Sequence, residues 1–281
     1  MGLFSLFGKS KTLYFPGCIT YFNFKDNFEL YREIFLSLDI DFKIIDKKIC
    51  CGLPPLEAGY ETEARKLIRR NFEIFKEEGI TSIITNSPCC YKMFLQDYPQ
   101  MLPDWNIIVK NIWSIVLTKL EKNPGLIKNK VIKTATYNDS CYLGRYCEIY
   151  EEPRKILNLI GYKIEELNDS KEESFCCGSC GGLMRINLEL ADKIAKEKIL
   201  QAKRIKAKKI ITSSLNDYEL LKKNSSGTGV EVLEFSEVLA YALGIYKKTK
   251  ENKDISETRA NIKIQEEINE DDYSGEDEED E

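Results

Sequence analysis

Apolar and polar positions follow one another along the chain in two rhythms. Short runs rich in Ile, Val, Tyr and Phe lie at 12–15, 41–45, 80–85 and 107–110. Similar runs recur at 131–137, 162–166, 208–212 and 230–233. Runs this short and this apolar, bounded by Gly, Pro, Asn or Ser, predict buried strands. Between them, apolar residues three and four apart fill 24–38, 58–78, 111–120, 150–160, 187–205 and 235–243. That spacing predicts helices with one buried face. Strand–helix alternation predicts an α/β fold with a parallel sheet covered by helices.

The rhythm is written twice. "TLYFPGC" (12–18) is matched by "TATYNDSC" (134–141), and Cys50-Cys51-Gly52 by Cys176-Cys177-Gly178. A helical stretch follows each triplet, then an apolar run and a polar turn. Thr85 aligns with Thr212 and Cys90 with Asp217, an offset of 126 or 127 residues through this half of each copy. The chain reads as a tandem duplication of a parallel-sheet α/β unit. An N-terminal arm covers 1–11, a first copy 12–125, a second copy 126–246 and an acidic tail 247–281. Asn123-Pro124-Gly125 marks the joint. The motif cysteines come just after strands, so their loops are expected at the carboxyl ends of the sheet, where open α/β folds build sites.

Composition narrows the chemistry. The 281 residues include 10 cysteines and no histidine. Histidine-ligated zinc, histidine-ligated haem and the usual general base are thereby removed. No apolar run reaches the ~20 residues that span a membrane. The opening "MGLFSLFGKSK" is too short in apolar residues for a usual signal peptide. A reducing cytoplasm is expected, in which ten cysteines point to metal or redox chemistry rather than disulfides. Membrane contact is expected only through a partner or a weak N-terminal anchor. Residues 251–281 hold 14 acidic against 3 basic residues, which leaves the first 250 at +6. The tail is expected to be disordered, and the body is not basic enough to suggest nucleic acid.

In each copy an early cysteine, a Cys-Cys pair and a late turn come from three loops on one sheet edge. Adjacent cysteines rarely bond each other. Both can ligate a cluster, whose several irons offer several attachment points. A lone zinc ion more usually takes C-x₂-C knuckles, although zinc remains open at one site. A glycine after the pair lets backbone approach and leaves N–H groups free. Cys147 is expected to be a small buried hydrophobe. Arg145 is expected either to offset cluster charge or to lie on the surface.

"FPGC…CCG…SPCC" and "YNDSCYLGR…IYEEPRKIL…CCGSCGG" resemble the CCG-domain iron–sulfur proteins. That family includes the iron–sulfur subunits of heterodisulfide reductase and glycolate oxidase, and lactate utilisation protein A. The resemblance covers about residues 12–245. It implies iron–sulfur clusters, here of [4Fe–4S] type, and sometimes a non-cubane cluster held by five cysteines: one early, the pair and a late C-x₂-C. It implies electron transfer to or from disulfides, quinones or flavin subunits. The ligands carried over are Cys18, Cys50, Cys51 and Cys90 in the first copy. Those of the second are Cys141, Cys176 and Cys177, with Cys180 as an extra thiol outside the family pattern.

Departures from the pattern are specific. Ser87 stands where the first late cysteine belongs, and Cys89 is expected to face away. Ser214 and Asp217 replace both late cysteines of the second copy, leaving Asp217 open as an oxygen ligand. Asn138 replaces the family's usual histidine. Ferredoxin motifs, a dinucleotide fingerprint and a flavin motif are missing, so electrons are expected from a partner: a flavin dehydrogenase, a ferredoxin or a membrane cytochrome subunit. The leading expectation is an iron–sulfur oxidoreductase subunit, heterodisulfide reductase-like. The alternative is a metal-binding scaffold whose second site is degenerate.

Overall fold

The computed structural model describes residues 10–45 and 49–245, all within one compact unit. Most of the N-terminal arm and the acidic tail lie outside the described residues. Two parallel sheets form the centre. The first has β1 (Thr12–Tyr14), β2 (Ser82–Ile84) and β3 (Ile108–Val109) in that order. The second has β4 (Lys133–Asn138), β5 (Tyr162–Ile164), β6 (Lys209–Thr212) and β7 (Glu231–Glu234), in the order β5-β4-β6-β7. Lys43 makes a parallel bridge to Leu13 on the free side of β1. With Lys43 standing in for β5, both sheets run second–first–third–fourth, the same topology repeated.

Twelve helices connect and cover the strands among the described residues. The first copy supplies α1 (Cys18–Asn23), α2 (Lys25–Ser37), α3 (Leu53–Glu57), α4 (Glu61–Glu77), α5 (Pro88–Lys92), α6 (Tyr98–Met101) and α7 (Ile112–Lys122). The second supplies α8 (Glu151–Leu159), α9 (Leu183–Ile186), α10 (Leu188–Arg204), α11 (Leu215–Ser225) and α12 (Phe235–Ala242). The duplication is visible inside α4 and α10. Ala64, Ile68, Asn71, Phe72 and Phe75 form the buried stripe of α4. The stripe of α10 is Ala191, Ala195, Lys198, Ile199 and Ala202, each 127 residues later. These are i, i+4, i+7, i+8 and i+11 positions, one face of a 3.6-residue period.

Two expectations are corrected. The strand expected at 41–45 shrinks to the single Leu13–Lys43 bridge. Only Lys43 meets β1, its N–H bonding Thr12 O at 2.8 Å and its carbonyl accepting from Tyr14 at 2.9 Å. Phe42 and Ile45 turn instead into two different core clusters. The late turns are helical: α5 and α11 start directly after β2 and β6. A π turn, Met93–Asp97, joins α5 to α6. Pro99 follows it and has no N–H for the Leu95 carbonyl, which favours such a local widening.

The copies share a core. Tyr14, Phe35 and Trp113 of the first pack in one cluster with Ile156, Phe235 and Leu239 of the second. α2 lies on α12, and α7 lies on α8. Each contact carries a polar clasp. Tyr31 and Asn27 donate to Glu234 at 2.7 and 3.3 Å. Asn111 and Ser114 donate to Glu152 at 3.1 and 2.9 Å. Among the described residues no helix is long and apolar enough to cross a membrane.

Candidate metal centre

The order second–first–third–fourth makes the chain leave its first and third strands in opposite directions, which opens a crevice at their carboxyl ends. Cys18 follows β1 there, and Cys89 and Cys90 follow β2. Cys141 follows β4, and Asp217 follows β6. A tyrosine braces each crevice: Tyr14 OH donates to Asn86 Oδ1 at 3.0 Å, and Tyr137 OH lies 2.7 Å from Ser213 Oγ.

In the first copy, five thiols form one chain of contacts. Cys18 hydrogen-bonds Cys50, Cys50 bonds Cys51, Cys51 bonds Cys90, and Cys90 bonds Cys89. Cys89 does not face away. It sits one residue before Cys90 in the first turn of α5, with its sulfur 3.1 Å from Ser87 Oγ. Ser87 is the residue before α5, so the missing late cysteine has become part of a helix start.

The second copy repeats the arrangement with other donors. Cys141 hydrogen-bonds both Cys176 and Cys180, and Cys176 bonds Cys177. Ser179 Oγ lies 3.3 Å from Cys177 Sγ and 3.2 Å from Cys180 Sγ. Thus Cys180 belongs to the thiol group. Ser214 caps α11, its Oγ accepting from Asp217 N at 3.4 Å. The Asp217 carboxyl accepts from Ser179 at 2.5 Å and from Asn138 Nδ2 at 3.0 Å.

The electrostatics match between copies. The hydrogen bond from Cys18, then that from Cys51, the Gly52 N–H and the charge of Arg185, hold the Cys50 thiol down to about 2. The bond from Cys141, then Cys177, the Gly178 N–H and Arg145, hold Cys176 down to about 2. Their partners move the other way: Cys18 and Cys141 are raised, chiefly by those same bonds. Each site therefore favours one thiolate, the first of the Cys-Cys pair, and keeps the early cysteine as donor. Arg145 also donates to Ser174 O at 2.6 Å, which ties it to the loop as well as to the charge. Gly52 and Gly178 adopt φ +93° and +89°. A Cβ on Gly178 would lie 2.9 Å from Ala191 O, so the glycine also lets the loop lie flat on α10.

Several residues that fix these loops escaped the sequence reading. Asn71 donates to Cys50 O at 2.7 Å and to Tyr98 OH at 2.9 Å, and Tyr98 donates to Cys51 O at 3.2 Å. Lys198, at the equivalent position, is buried and donates to Ser174 Oγ at 3.0 Å and Phe175 O at 3.1 Å. The polar positions shared by two buried stripes 127 residues apart are the signal that could have found them. Arg154, within "PRKIL", pairs with Asp139 of "DSC" at 2.7 and 2.8 Å. Asp139 in turn accepts from Lys171 N at 2.8 Å, joining the Cys141 loop to the segment that leads into Cys176.

The two thiol groups are neighbours. Cys141 and Cys180 pack against the core cluster that holds Cys51 and Cys90. The charge of Arg185, from the second copy, reaches Cys50, and that of Cys89 reaches Cys180. An apolar cleft of about 390 Å³ opens beside Cys18, lined in part by Pro16, Gly17, Tyr21, Phe22 and Ile49. Cys147 stands apart, packed on the shared core, with its thiol pushed up to about 11 by burial.

The donor set suits a cluster. Thiolates select iron–sulfur centres or zinc. The sulfurs touch in chains, and among the described residues no three Cys, Asp or Glu side chains are grouped to hold a single metal ion. A cluster can use thiols spread over several irons, whereas one zinc ion needs four ligands about one centre.

A family profile described as "Cysteine-rich domain" (CCG) matches residues 12–95 and 135–216. The chain is 30% identical over 195 residues to the EtfAB:quinone oxidoreductase of Syntrophomonas wolfei, covering 66% of this chain and 27% of that protein. It is 27% identical over 200 residues to one component of the dihydromethanophenazine:CoB–CoM heterodisulfide reductase of Methanosarcina acetivorans, covering 69% and 49%. It is 27% identical over 239 residues to one component of the fumarate reductase (CoM/CoB) of Methanothermobacter marburgensis, covering 83% and 46%. The chain thus spans between about a quarter and a half of the length of these relatives.

Proposed function

The chain belongs to the cysteine-rich CCG-domain family, and from that premise we propose that it is an iron–sulfur, electron-carrying subunit of an oxidoreductase. The observation that carries this reading is the repeated, mutually contacting thiol group at the same crevice of both sheets. Cys18, Cys50, Cys51 and Cys90, with Cys89 beside them, would hold one cluster. Cys141, Cys176, Cys177 and Cys180 would hold the second. Such clusters supply one-electron steps at potentials set by their ligands, hydrogen bonds and burial.

The chain's own residues do the rest. The Gly52 and Gly178 N–H groups and the Arg185 and Arg145 charges offset thiolate charge. Asn71 and Lys198 hold the Cys-Cys loops on their helices. The adjacency of the two sites supports electron passage between them. The substrate class we propose is a disulfide, which takes up two electrons and two protons to give two thiols; the apolar cleft beside Cys18 suits an apolar arm of such a molecule. Electrons would come from a partner, a flavin dehydrogenase, a ferredoxin or a membrane cytochrome subunit, as the multi-component names of the relatives suggest. The contacts among all four second-copy thiols favour a working second site over a degenerate one.

Anaerobic reconstitution with iron and sulfide, followed by metal analysis and EPR, tests this. Protein that binds neither element refutes it. Cys50→Ser/Cys51→Ser and Cys176→Ser/Cys177→Ser are each expected to remove about half of the iron. Loss with the first pair alone would make the second site a structural remnant.

A further inference from the structure

Asp217 is the donor in the second thiol group that no cysteine pattern accounts for. It is the third residue of α11, as Cys90 is of α5, and stands 127 residues after it. It is 1% exposed. Its Oδ1 accepts from Ser179 and lies 3.9 Å from Cys180 Sγ, its Oδ2 accepts from Asn138, and the Cys177 thiol bonds the same carboxyl. A buried carboxylate costs several kcal/mol unless a cation offsets it. Among the described residues Asp217 makes no ion pair. Lys198, whose charge reaches it, spends its hydrogen bonds on Ser174 and Phe175.

A second observation points the same way. The Asn138 Oδ1 and Ser140 Oγ atoms are buried and have no hydrogen-bond partner. Both residues precede Cys141 in its loop, and Asn138 is the residue that holds Asp217. Buried polar atoms are almost always partnered. Two orphans beside a buried carboxylate and four thiols mark a place built around a further polar or charged group.

We propose that Asp217 is an oxygen ligand of the second cluster, in the place that Cys90 holds in the first, and that its metal is open to exchange with thiolates. The proposal rests on the reading that the second site holds an iron–sulfur cluster. Carboxylate is a harder donor than thiolate and binds thiophilic iron less firmly. An incoming thiolate, its proton already released to solvent, forms an iron–sulfur bond as the iron–oxygen bond breaks. The freed carboxylate keeps Ser179 and Asn138 as partners, and no electron moves. The substrate class implied for this position is a thiolate, the product of disulfide reduction.

The test uses the full chain, reconstituted anaerobically with isotopically labelled iron. Mössbauer spectra are recorded for wild type, Asp217→Cys and Asp217→Asn, with and without 2-mercaptoethanol. Wild type should show one distinct iron subsite that shifts to the thiolate-ligated value on adding the thiol. Asp217→Cys should start at that value and not respond. Asp217→Asn should release iron to a chelator several-fold faster. If the variants do not fold, the wild-type spectra still decide: a second-site cluster without a distinct subsite and without a response to thiol overturns the proposal. If Cys176→Ser/Cys177→Ser removes no iron and sulfide, the underlying reading of that site falls, and this one with it.

Discussion

Replacing Arg154 with methionine keeps the stem and deletes the charge. The guanidinium is 4% exposed, pairs with both Asp139 oxygens at 2.7 and 2.8 Å, and reaches Glu166 at 2.7 and 2.8 Å. It also donates to Tyr150 O at 2.8 Å and stands 5.1 Å from the Tyr137 ring. After the change, Asp139 stays buried with only the Lys171 N–H. Stranding one member of a buried pair costs about 3–5 kcal/mol. The Glu166 side chain is 39% exposed, so that half adds little, about 0–1 kcal/mol. For a body of this size each kcal/mol lowers Tm by about 2–4 °C. Arg154→Met should therefore lower Tm by about 6–20 °C in calorimetry. Because Asp139 bridges the Cys141 loop and Lys171, the iron lost should come from the second site. Adding Asp139→Asn removes the stranded charge and should recover roughly half of the lost stability. A single substitution costing under about 1 kcal/mol, or a double variant no better than the single, would refute the reasoning.

Gly17→Ala should empty the first site and spare the second: Gly17 has φ +80°, and a Cβ there would lie 3.1 Å from Cys90 Sγ. The conformational part alone costs about 1–2 kcal/mol, and iron per chain after reconstitution reads the result; unchanged iron would count against the placement of Cys90. Burial holds the Glu234 carboxyl up to about 7, so between about pH 4.5 and 7 the folded chain keeps a proton that the unfolded chain has released. Its contribution to stability is full below that window and is lost as pH rises through 7, by about 3 kcal/mol at most. Urea denaturation of Glu234→Gln against wild type at pH 5 and pH 8 should show the variant gaining relative stability at the higher pH, and equal differences at both would refute this. In metal-free protein, Cys147 should be alkylated by iodoacetamide at pH 8 more slowly than the exposed Cys176; equal labelling by mass spectrometry would contradict its burial.

Much of the architecture was legible because the duplication states its period repeatedly. The stripes of α4 and α10 share that period residue by residue, and both sheets repeat one order. The helices starting at Cys18, Pro88 and Leu215 were harder to see, because motif residues occupy their first turns and hide the periodicity. The 41–45 run looked like a strand because Phe42 and Ile45 are apolar, yet each goes to a separate cluster. At the site, residue type was readable and direction was not. Cys89 looked redundant beside Cys90 until the start of α5 aimed both at the same loop. Lys198 and Arg154 looked like surface charges, since a sequence does not say which cation is buried or what it holds.

The shared core, with Cys141 and Cys180 set against the first copy's cluster, has a consequence for inheritance. In a symmetric pair of identical chains every substitution is made twice, so both sites must tolerate it. Joining the two copies in one chain releases that constraint. A serine and an aspartate could replace cysteines in one site while its neighbour kept its thiols, and two sites that began alike became free to specialise within reach of each other.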